Sequence, residues 1–183
     1  MVLAARLSAT VTLRLLEQGD SAWVAAAYVR NRAHLAPWEP TRPEEFFTTA
    51  WQEEEISRLL AGCQSGAGLP MVLVTEDAVI GRVTLSGITR GAFQSANLGY
   101  WIDGRHAGQG LMTAAVGALL ARARDDLELH RVQAETLLHN VASQRVLQRA
   151  GFEHIGMAPR YLRIAGTWQD HELFQRVLVS ARG

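Results

Sequence analysis

Residues 10–16 alternate Val11, Leu13 and Leu15 with Thr12 and Arg14, the two-residue period of a half-buried strand, and Gly19-Asp20 breaks the run. The period then lengthens: Trp23, Ala26, Ala27, Arg30 and His34 recur at helical spacing, from a cap at Asp20 to about Leu35, before Pro37. Pro37-Trp38-Glu39-Pro40 predicts a rigid connector. Thr41 precedes Glu44 by three residues with Pro43 inside the turn, a capping-box start for a second helix reaching about Cys63. Residues 62–70, with three glycines, a serine and a proline, form the most loop-like stretch. Strands over 71–75 and 79–85 flank Glu76-Asp77-Ala78 as a tight hairpin, and Arg90-Gly91-Ala92-Phe93 turns the chain into a strand over 95–102. A long helix rich in Ala, Leu and Arg follows over 111–127, then a strand over 131–137. A short helix over 140–149 stops at Gly151, and two last strands, 153–165 and 168–179, meet at Gly166-Thr167.

This order predicts an α/β (α+β) fold: a mixed, mostly antiparallel sheet of seven strands with helices on both faces. Helix 111–127 is the crossover joining the neighbouring parallel strands 95–102 and 131–137. With 183 residues, 48% hydrophobic and 20% charged, the chain suits a single domain over 1–183. Eighteen Lys+Arg balance eighteen Asp+Glu, which argues against direct nucleic-acid binding and against a polybasic membrane face. Arg6 and Arg14 interrupt residues 1–16, which read as neither signal peptide nor membrane span, and no other stretch approaches about twenty uninterrupted apolar residues. One cysteine, Cys63, excludes an intrachain disulfide framework and a cysteine zinc cluster, and the expectation is a cytoplasmic protein with no metal.

The candidate chemistry begins where strand 95–102 ends. Gly108-Gln109-Gly110 precedes the helix beginning at Leu111, Met112 and Thr113. A helix start offers main-chain N–H groups without intrahelical partners and a positive dipole end, so a diphosphate can be cradled with no basic side chain. By itself this pattern is equally an ordinary turn. No Lys-Ser/Thr follows the glycines and the third glycine of a dinucleotide fingerprint is missing, which excludes both of those motifs.

The next strand and helix start add Glu135, His139, Asn140 and Ser143, in Asn140-x-x-Ser143-x-x-x-Leu147-x-x-x-Gly151-Phe152. The run from Gly108 to Met112, the Asn140-x-x-Ser143 pair and Ala150-Gly151-Phe152 together resemble the acetyl-CoA-binding segments of GNAT enzymes. Asn31-Arg32, Leu35, Pro37-Trp38-Glu39-Pro40, Trp51-Gln52, Arg90-Gly91-x-Phe93 and Tyr161-Leu162-x-Ile164-x-Gly166-x-Trp168-x-Asp170-His171 are similar to the RimJ/RimL branch, and the likeness spans roughly residues 10–175. It implies the GNAT fold, with acetyl-CoA in the V between two splayed parallel strands. Gly108, Gln109, Gly110, Leu111, Met112 and Thr113 would bind the pyrophosphate, the backbone of Trp101, Ile102 and Asp103 would pair with the pantetheine arm, and Asn140 and Ser143 would contact the cofactor. Ala107 and Met112 depart from the usual superfamily turn, a departure read as specific to the branch.

The implied reaction is acetyl transfer by direct attack in a ternary complex onto the N-terminal Ala or Ser amine of a ribosomal protein. An N-terminal amine has a pKa near 8, so at neutral pH a single modest deprotonation suffices, and main-chain N–H groups can stabilise the oxyanion. Glu135 is the first choice of base, against a solvent-facing or arginine-paired carboxylate; His139 competes. Ser143 resembles the serine proposed to protonate the leaving sulfur in RimL-type enzymes, and reads equally as a helix cap. Tyr100 is a second candidate acid, or a packing residue. Trp38, Glu39 and Asp170 are candidates for the acceptor side, each with a structural alternative as packing ring, surface salt bridge or hairpin closure. Glu53-Glu54-Glu55 reads as a solvated helix face. Other functions remain open: acetylation of a small amine, or an acetyl-CoA-binding module without turnover. The family also admits a homodimer.

Overall fold

The computed structural model describes residues 4–178. Its strands form one sheet in the order β1-β2-β3-β4-β5-β6-β8-β7. They are β1 (Ala5–Arg6), β2 (Thr12–Leu15), β3 (Leu69–Val74), β4 (Val79–Thr89), β5 (Ser95–Ile102), β6 (Arg131–Leu137), β7 (Glu153–Ile164) and β8 (Thr167–Val177). The helices are α1 (Ser21–Arg30), α2 (Arg32–Leu35), α3 (Thr49–Gln64), α4 (Leu111–Asp125) and α5 (Val141–Arg149). All six residues of β3 are buried, as a strand covered on both faces requires. Helices α4 and α5 cover one face, where Leu119 and Leu147 pack with Leu73, Val83, Leu85 and Leu98. On the other face, Val24, Tyr28 and Ile56 of α1 and α3 pack with Val72, Val79 and Trp101. Each fully buried Leu, Val or Ile contributes about 1.5–3 kcal/mol, so this alternation holds each strand's register.

The period of two decides which side chains share a face. Because Val83 pairs with Tyr100 and Leu85 with Leu98, those residues face α4 and α5. Arg82 pairs with Trp101 and Thr84 with Gly99, and these face α1 and α3.

Most of the predicted architecture holds, including the one parallel pair, β5 with β6, and α4 as its crossover. Four expectations are corrected. There are eight strands rather than seven, because Ala5–Arg6 adds a two-residue edge pair to β2. The helix expected from Asp20 to Leu35 breaks at Asn31, whose side chain is drawn to Ala27 and Asp103. Asp20 does not cap α1; its carboxylate binds the Arg14 guanidinium at 2.6 and 2.8 Å and accepts from the Glu17 amide. The second helix begins at Thr49 with Thr48 accepting from the Trp51 amide, since residues 44–47 form a separate 3-10 turn that ends in extended backbone at Thr48. The last strand ends at Val177; its expected end at residue 179 lies outside the described residues, as do residues 1–3 of the N-terminal stretch. Among the described residues no helix is long and apolar enough to cross a membrane.

Candidate active site

Strands β5 and β6 pair only at Ser95 with Arg131, Ala96 with Val132 and Asn97 with Gln133. Beyond that they part, because each keeps its outer partner: β5 stays on β4 through Ile102, and β6 stays on β8 through Leu137. Main-chain groups alternate sides along a strand. The Gln94 carbonyl accepts from the His130 and Arg131 amides, which turns even positions of β5 and odd positions of β6 toward the gap. Tyr100 and Ile102 therefore present main-chain groups to the opening, as does Glu135 from the other side. The Asp103 amide instead donates to the Ile80 carbonyl at 2.7 Å, and the Trp101 carbonyl lies against Gly81. Of residues 101–103, only Ile102 faces the gap through its main chain, and Tyr100 joins it.

At the end of β5 the chain makes a 3-10 turn over residues 104–106 and enters α4 through two left-handed glycines, Gly108 at φ 77° and Gly110 at φ 78°. Gly110 is the helix cap, and the first intrahelical bond runs from Ala114 to its carbonyl at 3.0 Å. The amides of Leu111, Met112 and Thr113 thus have no helical partner. Nothing lies within 4 Å of where a Cβ would stand at Gly108 or Gly110, so the turn leading to these amides is uncovered on that side. Buried Leu111 and Met112 side chains anchor the helix start in the core, and Gln109 Nε2 braces the turn on the Arg105 carbonyl at 3.1 Å. An amide nest at the start of a fifteen-residue helix fits a diphosphate.

The turn is also fastened from below. Asp103, 2% exposed, accepts from Arg30 Nε at 2.6 Å, Asn31 Nδ2 at 2.9 Å and the Arg105 amide at 2.9 Å. Asn31 Oδ1 accepts from the Gly104 amide at 3.0 Å, so both ends of that buried amide are used. Burial works to raise the Asp103 carboxyl, but the hydrogen bonds from Asn31, Arg30 and Arg105 outweigh it and hold its pKa at about 2. Sequence reasoning named Asp103 only for its backbone and gave Asn31 no role. The available signal was a buried-type Asn inside a helical run, a residue that competes with helix unless its side chain is bound elsewhere.

The remaining candidates fall on two faces of the sheet. Tyr100, on the α4 and α5 face, has its hydroxyl 2.7 Å from Ser143 Oγ and donates to the Ser143 carbonyl at 3.1 Å. Burial pushes the Tyr100 phenol well above its ordinary value, so it stays protonated and acts as a donor. Asn140, not Ser143, caps α5: its Oδ1 accepts from the Ser143 amide at 3.1 Å. On the α1 and α3 face Glu135 is half-buried, with no hydrogen bond or ion pair among the described residues, and burial raises its pKa. The arginine-paired alternative is thereby removed. His139 is exposed, its ring 5.4 Å from that of Trp38. Glu39 accepts the Ala165 amide through its carbonyl at 3.0 Å, docking the connector on the β7–β8 turn. Burial raises its side chain's pKa, against the lowering pull of Arg42 and Arg82. Asp170 accepts from the Arg160 amide at 2.8 Å, holding the kink where the β7–β8 register shifts. Cys63 sits on α3, its thiol raised by burial.

A family model described as an acetyltransferase (GNAT) domain matches residues 10–153. The chain belongs to the GNAT acetyltransferase family. The Escherichia coli (strain K12) ribosomal protein uS5-alanine N-acetyltransferase is 34% identical over 166 residues, spanning 89% of this chain and 85% of that protein. In solved structures, the ribosomal-protein-S5-alanine acetyltransferase of Vibrio fischeri is 33% identical, with a TM-score of 0.91 over 95% of this chain and 96% of that one. Mycobacterium smegmatis RimJ in complex with CoA-disulfide is 31% identical, with a TM-score of 0.87 over 91% of this chain and 81% of that one. This GNAT acetyltransferase takes its acetyl group from acetyl-CoA. Gly110→Ala, forcing a Cβ into left-handed backbone, is expected to cost about 1–2 kcal/mol and to weaken CoA binding about tenfold by calorimetry.

Proposed function

We propose that the enzyme acetylates the N-terminal Ala or Ser amine of a ribosomal protein by direct attack in a ternary complex. The observation that carries this reading is Glu135: an unpaired, partly dried carboxylate beside the gap, suited to one proton abstraction from an amine whose pKa is near 8. The uS5-alanine activity of the relatives supports the choice of acceptor.

In this scheme acetyl-CoA supplies a thioester carbonyl and a thiolate leaving group. The amides of Leu111, Met112 and Thr113, with Gly108, Gln109 and Gly110 shaping the turn, hold the pyrophosphate. Main-chain groups of Tyr100 and Ile102 hold the pantetheine arm and polarise the carbonyl, and Asn140 offers its NH₂ end. Glu135 takes the amine proton. Ser143 donates to sulfur as the C–S bond breaks, with the Tyr100 hydroxyl turned from the Ser143 carbonyl to donate to Ser143 Oγ. Trp38, Glu39 and Asp170 border the acceptor's entry. The enzyme is read as a cytoplasmic single domain whose partner is the acceptor protein and which can pair with a second copy.

Thiol release with acetyl-CoA and an Ala-initiated peptide tests the proposal. Turnover is expected, with the added mass of one acetyl group at the peptide's N-terminus. Acetylation of spermidine with no turnover of any Ala- or Ser-initiated peptide would overturn it in favour of a small-amine acetyltransferase.

A further inference from the structure

We infer that the acceptor carries an acidic side chain a few residues beyond its amine, and that Arg82, assisted by Arg42, binds that carboxylate. The inference rests on the reading that the acceptor enters over the α1 and α3 face.

Two adjoining cavities open on that side. One, of about 280 Å³, is lined by Tyr28, Glu39, Arg42 and Phe47 among others. The second, of about 240 Å³, is lined by Arg42, Phe46, Trp51, Arg58 and Arg82, and the two share Thr41 and Arg42. Four arginines surround them, and two are already neutralised. Arg32 makes a two-pronged pair with Glu44, and Arg58 binds Glu55 at 2.9 and 2.7 Å. Arg42 Nε is buried without a hydrogen bond, 3.6 Å from Glu39 Oε2, its guanidinium 4.5 Å from the Phe46 ring centre. Half-buried Arg82 makes no hydrogen bond and no ion pair among the described residues. Arg32, Arg42 and Arg58 each have a glutamate, Glu44, Glu39 and Glu55, while Arg82 has no ion-pair partner of its own and acts on Glu39 only at longer range. Two further buried polar atoms beside this space, Tyr28 Oη and Trp101 Nε1, make no hydrogen bond of good geometry. A half-buried guanidinium beside an open polar cavity is costly to leave unpaired, and a carboxylate matches its fork in two parallel hydrogen bonds.

Register indicates how far that carboxylate stands from the reacting amine. Arg82 pairs with Trp101 on β5, whose neighbour across the gap is β6, where Glu135 lies. Two strand steps of about 4.8 Å set a lower bound of roughly 10 Å on the separation of Arg82 from Glu135, because β5 and β6 have parted at this level. The amine and carboxylate of one free amino acid are too close together to span that. An extended peptide advances about 3.3 Å per residue, which puts the acidic side chain at its third position or beyond.

The test uses Ala-initiated hexapeptides with a single Asp at position three, four or five, each against its Asn counterpart, in thiol-release assays with the intact enzyme. The Asp-to-Asn ratio of kcat/KM is read within each protein, so a general loss of activity cancels. In wild type one position is expected to give a ratio of about 10, falling to about 1 in Arg82→Gln. Arg82→Lys, which keeps the charge and loses the fork, is expected to fall between, and it stands in if Arg82→Gln folds poorly. Equal ratios at every position in wild type, or a preference that survives Arg82→Gln, would overturn this inference while leaving N-terminal acetylation standing. Acetylation of free aspartate with no turnover of any peptide would overturn both readings together.

Discussion

Replacing Glu135 by Gln lowers kcat toward an Ala-initiated peptide by a factor on the order of 10³, within the usual range for a general base, and leaves CoA affinity unchanged. Gln keeps the volume and a hydrogen-bonding end but takes up no proton. The pH profile carries the diagnostic part. Because burial raises the Glu135 carboxyl, the acid limb of kcat/KM lies above the ordinary Glu value of about 4.3, and activity falls as pH drops through it. A second limb follows the acceptor amine near 8. In Glu135→Gln the lower limb disappears and the upper one remains. An unchanged lower limb would assign the base elsewhere, and His139 would be next.

Asp103→Ala is expected to cost about 3 kcal/mol of stability, because it removes the carboxylate partner of the half-buried Arg30 guanidinium and one of the two acceptors of the buried Asn31 NH₂ at once. Thermal denaturation measures the loss, and calorimetry should show weaker CoA binding as the turn below Gly104 loosens. The pH dependence has a definite sign. The folded pKa of Asp103, about 2, lies below the unfolded value of about 3.9, so its contribution is full above 3.9 and is lost as pH falls through about 2. Wild type and variant should therefore converge in stability between about pH 4 and pH 2. A constant gap across that range would mean that the carboxylate's charge does not hold the turn.

Strands and the crossover helix were legible because their signals are local: a continuous apolar run in β3, apolar and polar residues alternating in β4 and β6, and an Ala- and Leu-rich α4. The turn leading into α4 was legible for the same reason, since Gly108 and Gly110 announce a backbone that side-chain-bearing residues avoid. Failures came where a side chain had a distant partner. Asp20 has a cap's identity and a cap's position, yet Arg14 outbids the helix for it. Asn31 looks like one more helical residue until Asp103, 72 positions later, is brought beside it. Arg82 gave no signal at all: one polar residue in an alternating strand is what a solvated face requires, and only the surrounding arginine pairs reveal that its charge is left over.

The division of the candidate groups between the two faces of the sheet has a further consequence. Glu135 lies on one face, and the Tyr100 and Ser143 hydroxyls lie on the other. Under the proposed mechanism the sheet would be a partition, with the proton leaving nitrogen and the proton reaching sulfur handled on opposite sides of it. A substitution at Glu135 would then leave the Tyr100–Ser143 contact intact, and a substitution at Tyr100 would leave the Glu135 carboxylate intact.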